Sequence, residues 1–253
     1  MTEPKRNITL EICTGDPIGV LAAMEGGADR VELCSGLAEG GLTPSIGVTR
    51  FATERICTNV LLRPRAGDFV YDSSEIEVME RDAEAAVEAG AAGIVIGALT
   101  RDGRIDTHAC RRLLAKAEGL QNTFHRAFDV LADPFEALEQ IIDMGFSRIL
   151  TSGQQSSALA GAELIARLHE QAAGRIRIMA GAGVSPANAL EILSTSHADD
   201  LHASARSLKP SSMTYTGNAS MGAADATDGS RLVTDSNIVA QLRAAINSYA
   251  INC

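Results

Sequence analysis

The chain has 253 residues, 45% hydrophobic and 21% charged, with a formal net charge of -10 and no tryptophan. That is the composition of an ordinary globular protein able to bury a sizeable, mostly aliphatic core. The acidity and the lack of a basic cluster exclude a phosphate-neutralising nucleic-acid binder, and no apolar run approaches the roughly 20 residues that span a bilayer.

No charged leader followed by an apolar run opens the chain, so a cytosolic protein is expected. Five cysteines, Cys13, Cys34, Cys57, Cys110 and Cys253, are odd in number and never form C-x-x-C. They fit reduced, core-packing thiols better than a disulfide framework or a structural zinc site.

In chain order, short apolar runs alternate with alanine-rich segments that are apolar at helical spacing. The runs lie at 8–13, 30–34, 59–65, 93–99, 122–129, 148–153, 175–183 and 199–206. Helices are predicted between them at 18–25, 46–57, 76–89, 107–117, 134–144, 160–172 and 187–196. MEGGADRVEL, EAGAAGIVIG and DMGFSRIL each read as helix, glycine cap, polar turn, strand, while Asp133-Pro134 and Ser185-Pro186 place a cap residue before a first-turn proline. Eight strand–helix units in a chain of this length predict one domain over 1–253, a parallel (β/α)8 TIM barrel. An open doubly wound sheet is the alternative, but no G-x-G-x-x-G follows the first strand. The Ser, Thr, Gly and Ala-rich stretch at 207–236 interrupts the rhythm and is expected to be a lid loop or a mobile insertion after the eighth strand. A last helix is predicted over 237–249.

In such a barrel the inward side chains at the carboxyl ends of the strands form the mouth. In the second strand Val31 and Leu33 face one side, which sends Arg30, Glu32 and Cys34 to the other; the first strand repeats this with Glu11 and Cys13. The third run ends in Arg63 and Arg65, the fifth supplies His125, Arg126 and Asp129, and the eighth His202, Ser204 and Arg206. Glu11, Glu32, Arg63, Arg65, His125 and His202 are the candidate catalytic set. Against this stands a plainer reading, in which Glu11 and Glu32 pair with Arg30, Arg63 or Arg65 to fill the interior as a buried ionic network. The turn AGAG (180–183), leading through Ser185-Pro186 to a helix start, suggests an anion cradle of Gly181, Gly183, Ser204 and Arg206. Only three lysines occur and none lies at a strand end, which argues against Schiff-base chemistry. No G-x-S-x-G, P-loop or H-E-x-x-H is found.

The ordered set LEIC, ADRVELC with GGLTPS, LLRPRAGDFVY, GALTRDGRID, FHRAFD, RILTSG, AGAGV and HASAR resembles the CutC copper-homeostasis family over nearly the whole chain. Where that family shows three successive glycines after the seventh strand, this chain has Ala180-Gly181-Ala182-Gly183. The resemblance implies a cytosolic TIM barrel that forms homo-oligomers, usually dimers, and a part in copper tolerance or trafficking. It also implies copper(I) ligation by Cys13 and Cys34; soft thiolates on adjacent strands suit that ion. Three functional readings follow: a copper(I)-binding homeostasis protein, a lyase or isomerase-type barrel enzyme acting on a small anionic, possibly phosphorylated metabolite, and a partner-binding scaffold. The enzyme reading gives Glu11 or Glu32 the role of general base, His125 that of acid or carbonyl polariser, and Arg63 and Arg65 the anion. In a variant, Glu11, Glu32 and His125 or His202 hold a divalent metal.

Overall fold

The computed structural model describes residues 8–215 and 230–252. Its elements run β1 (Thr9–Thr14), α1 (Pro17–Glu25), β2 (Arg30–Leu33), α2 (Ile46–Thr53), β3 (Thr58–Leu61), α3 (Ser73–Glu88), β4 (Gly93–Ile96), α4 (Thr107–Lys116) and β5 (Thr123–Phe124). They continue with α5 (Pro134–Asp143), β6 (Arg148–Thr151), α6 (Ala162–Ala172), β7 (Arg177–Ala180), α7 (Ala189–Ser196), β8 (Asp200–Ala203), β9 (Arg206–Pro210), β10 (Ser230–Thr234) and α8 (Ser236–Asn252). Strands β1 to β8 pair in sequence order and β1 pairs with β8, so the sheet closes as a parallel (β/α)8 barrel.

Local chemistry sets the element ends. Asp16, Asp72, Asp106 and Asp133 each accept a backbone N–H in the first turn of the helix that follows. Gly27, Gly90 and Gly145 turn the chain from helix to strand at φ of +82°, +87° and +85°, a region other residues enter at a cost. Ser185-Pro186 departs from the predicted pattern. The Asn188 side chain accepts the Ser185 N–H instead, and α7 begins later, at Ala189.

Alternation along each strand divides the interior in two. Leu10, Ile12, Val31, Val60, Ile94, Ile96, Phe124, Ile149, Ile178 and Leu201 face the helices and form the main core. The opposite parity fills the barrel. Its floor is polar: Asp200, fully buried, receives Arg177 Nη2 at 2.5 Å and Arg30 Nη2 at 3.3 Å, with Arg148 Nε at 3.6 Å. Arg148 also donates to Thr123 Oγ1 at 3.2 Å and to the Gln121 side chain at 3.0 Å.

Two predicted elements differ. The run at 122–129 is a strand only at β5; from Arg126 to Val130 it tightens into a 3₁₀ turn capped by His125, whose ring accepts the Ala127 N–H. The stretch at 207–236 begins and ends as regular structure, because β9 and β10 pair antiparallel as a ribbon outside the barrel. The part of the expected lid at 216–229 lies outside the described residues.

Asp200 is a buried anion shared by three guanidiniums. Asp200→Asn should therefore destabilise the fold by about 3–5 kcal/mol, since it leaves buried positive charge uncompensated. The midpoint of urea unfolding reads this directly.

Candidate functional site

The register of β1 and β2 sets Cys13 opposite Glu32 and Thr14 opposite Leu33. Cys34 follows directly, its N–H bonded to Thr14 O at 3.0 Å. Both thiols thus enter the barrel, and their Sγ atoms lie 3.4 Å apart without a disulfide. The Cys34 hydrogen bond, burial and the Glu32 carboxylate together push the Cys13 thiol well above its ordinary range.

His202 stands opposite Glu11 where β8 meets β1. Its Nδ1 is 2.9 Å from Glu11 Oε1 and its Nε2 is 3.2 Å from Glu32 Oε2, so one ring bridges two carboxylates. Glu11 is held in turn by the Arg30 guanidinium and by Asn59 Nδ2 at 3.3 Å. Burial opposes ionisation of Glu11, but Arg30 and His202 outweigh it and keep the carboxyl below the usual range. Burial raises Glu32, with His202 only partly offsetting it. For His202 burial favours the neutral ring, yet Glu32 and Glu11 prevail and raise its pKa. Cys13, Glu32 and His202 place one ligand atom each within 4.8 Å of one another, a sulfur, oxygen and nitrogen set that could hold a metal ion. With Nδ1 tied to Glu11, Nε2 is the ring nitrogen offered to that ion, an arrangement common behind metal-bound histidines.

The opposite wall of the mouth carries a different group. A cavity of about 280 Å³ is lined by Arg63, Phe69, His125, Arg126 and Asp129 with Leu61, Leu150, Val130 and Gly40. His125 packs on Phe69 with ring centroids 4.9 Å apart, and a Cβ at Gly97 would come within 2.6 Å of the imidazole. Burial, aided by Arg63, pushes the His125 pKa down to about 3, so the ring is neutral. Because Nδ1 accepts the Ala127 N–H, the proton sits on Nε2. Arg63 donates to the carbonyls of Glu39, Gly41 and Gly67 at 2.8, 2.9 and 2.8 Å. Asp129 accepts from Thr151, Ser152 and Arg126.

The predicted catalytic set is therefore divided. Glu11, Glu32 and His202 meet beside the thiols, while Arg63 and His125 meet across the mouth. Arg65 points outward to Glu75 and Asp68. Of the predicted cradle, Gly183, Ser204 and Arg206 line an open groove with Leu232, Ile238 and Gln241. Gly181 lies inside the barrel, where a Cβ would meet Leu150 at 2.5 Å and His202 at 3.3 Å. Asn59, Arg148 and Asp200 were not singled out from sequence; their inward parity on strands three, six and eight is the signal that could have found them.

The CutC family model matches residues 8–207. A human protein named copper homeostasis protein cutC homolog is 47% identical over 246 residues, 96% of this chain and 90% of that one. A family protein CutC of Histophilus somni is 45% identical over 236 residues, 92% of this chain and 97% of its own length. The crystal structure of a protein named CutC from Streptococcus agalactiae superposes with a TM-score of 0.75 at 36% identity, covering 78% of this chain and 98% of that chain.

A ring whose pKa is about 3 folded, against 6.5 ordinarily, binds fewer protons in the folded state between those values. The stability it contributes is complete above about pH 6.5 and is lost as pH falls toward 3, by up to about 1.4 kcal/mol per pH unit. His125→Gln should remove that share of the acid-side slope in denaturation curves taken between about pH 7 and pH 4. An unchanged slope would mean that the imidazole titrates normally.

Proposed function

Because this chain belongs to the CutC family, we propose that it serves copper homeostasis by binding one copper(I) ion between the Cys13 and Cys34 thiolates. The observation that carries this reading is the approach of the two inward sulfurs to 3.4 Å. Soft thiolates favour a soft monovalent ion. Metal–thiolate bonds of about 2.3 Å ask the sulfurs to open by only about 1 Å. His202 Nε2, held toward Cys13 and Glu32, is a neutral third donor once its proton leaves.

A second reading of the same place rests on the Cys13, Glu32 and His202 triplet. Its mixed donors suit a borderline divalent ion such as zinc, held by one thiolate rather than two. The Cys34→Ser variant separates the two, because the divalent site does not need Cys34.

Copper binding must displace the thiol protons, and Cys13 holds its proton unusually tightly. Apparent affinity should therefore rise with pH, by up to about two log units per pH unit if both protons leave. In an anaerobic competition titration against a copper(I) chelator, one ion per chain is expected. Cys13→Ser with Cys34→Ser should weaken binding by on the order of a hundredfold or more. Glu32→Gln should change it by about tenfold at most. Equal binding by the wild type and the double variant would reduce the thiols to core packing.

On the family resemblance we also propose that the protein is cytosolic and homodimeric. Among the described residues no helix is long and apolar enough to cross a membrane. Ile18 and Leu21 of α1 lie exposed beside Leu208 of β9, along one groove, and offer an apolar surface for a second copy. Leu21→Glu with Leu208→Glu should then shift sedimentation equilibrium from dimer toward monomer. A wild type that sediments as a monomer would remove the dimer from this reading.

A further inference from the structure

The mouth cavity opposite the thiols has the chemistry of a ligand site that copper binding does not use. Arg63 is only 6% exposed; its guanidinium donates to three carbonyls, lies 5.2 Å from the Phe69 ring centroid and faces the buried Tyr71 hydroxyl. No carboxylate of the described residues pairs with it, and its Nε finds no partner among them. Buried charges are ordinarily paired, and buried donors ordinarily bonded. His125, 5% exposed and lining the same cavity, carries a second unpartnered buried atom, Nε2, which bears the ring proton. The one acid in the lining, Asp129, is already taken by Thr151, Ser152 and Arg126. Two guanidiniums against one carboxylate leave a single positive charge, which matches a monoanion rather than a phosphate dianion. Leu61, Phe69, Val130 and Leu150 form the remaining wall, and about 280 Å³ accommodates only a small molecule.

We propose that this cavity binds a small organic carboxylate bearing a second acceptor oxygen, as in 2-oxo and 2-hydroxy acids. The carboxylate neutralises Arg63, with Arg126 at the rim. The adjacent oxygen accepts the hydrogen bond from His125 Nε2, which as a neutral donor can serve a carbonyl or hydroxyl oxygen without adding charge. The apolar wall takes the short carbon chain. Arg63 also fastens the glycine loop at Glu39 and Gly41, so its replacement disturbs the loop as well as the charge; Arg126 and His125 are the cleaner positions to vary.

The test is a calorimetric titration of the full copper-free chain with pyruvate, with lactate, and with inorganic phosphate at constant ionic strength. The His125 ring resonances are followed by NMR in parallel. Pyruvate or lactate should bind with a dissociation constant on the order of 1 mM or tighter and shift the His125 signals. Phosphate should bind at least about tenfold more weakly. His125→Phe, which keeps an aromatic ring against Phe69 but removes the donor, should weaken binding by about tenfold, and Arg126→Gln by a few-fold. The proposal is overturned if neither acid binds at tens of millimolar, if phosphate binds as well as they do, or if both variants bind like the wild type.

Discussion

Glu11 is the group on which the mouth is built. It sits on the strand that closes the barrel, with Arg30 of β2 on one side and His202 of β8 on the other. Taking a carboxylate fully out of water is costly, and only the guanidinium and imidazole partners make its ionised form the stable one. Once charged, it fixes the His202 ring by Nδ1, and that leaves Nε2 no direction but toward Glu32 and Cys13. The orientation of the metal-capable triplet is therefore a consequence of a contact one residue-pair deeper in the barrel.

The interior is layered by charge. At the floor, guanidiniums outnumber carboxylates and tie β2, β6, β7 and β8 together through Asp200. Above it, Glu11, Glu32 and His202 make a predominantly anionic level. Cys13 stands level with Glu32, with Cys34 beside it, and the Arg63 and His125 cavity lies on the other side. Buried ion pairs of this kind add little net stability compared with apolar packing, so the main hydrophobic core between barrel and helices must carry the fold. The polar interior instead dictates which side chains meet, and at what protonation.

Much of this could be read from the chain. Parity in RVELC and LEIC sends Glu11, Cys13, Arg30, Glu32 and Cys34 inward, and alternating strands and glycine-capped helices dictate a barrel. What could not be read was partnership. Both Glu11 and Glu32 had several cationic candidates, and sequence parity cannot say that Glu11 takes Arg30 while Arg65 turns out to Glu75. Nor can it show that the chain leaves the ladder just after His125, whose N–H still bonds Ile96 O at 2.9 Å, to enter a 3₁₀ turn that the His125 ring caps. The ribbon of β9 and β10 was hidden for the opposite reason: its strands are short and flank a polar stretch, so no periodicity announces their pairing across a gap in sequence.

The two halves of the mouth share one piece of chain. The loop from Gly36 to Leu42 passes over Cys34, and Gly41, at φ of +91°, comes so near Leu61 that a Cβ would lie 2.7 Å from its Cδ2. Leu61 touches the thiol cluster and also lines the cavity. Arg63, the buried cation of that cavity, holds the loop by the carbonyls of Glu39 and Gly41. A ligand that draws on Arg63 thus acts on the segment that covers Cys34, and a rearrangement at the sulfurs acts on the wall of the cavity. Gly41 and Leu61 are packed too closely for one to shift without moving the other. Glycine at positions 40 and 41, both with positive φ, is what allows the loop to lie this close to both sites at once.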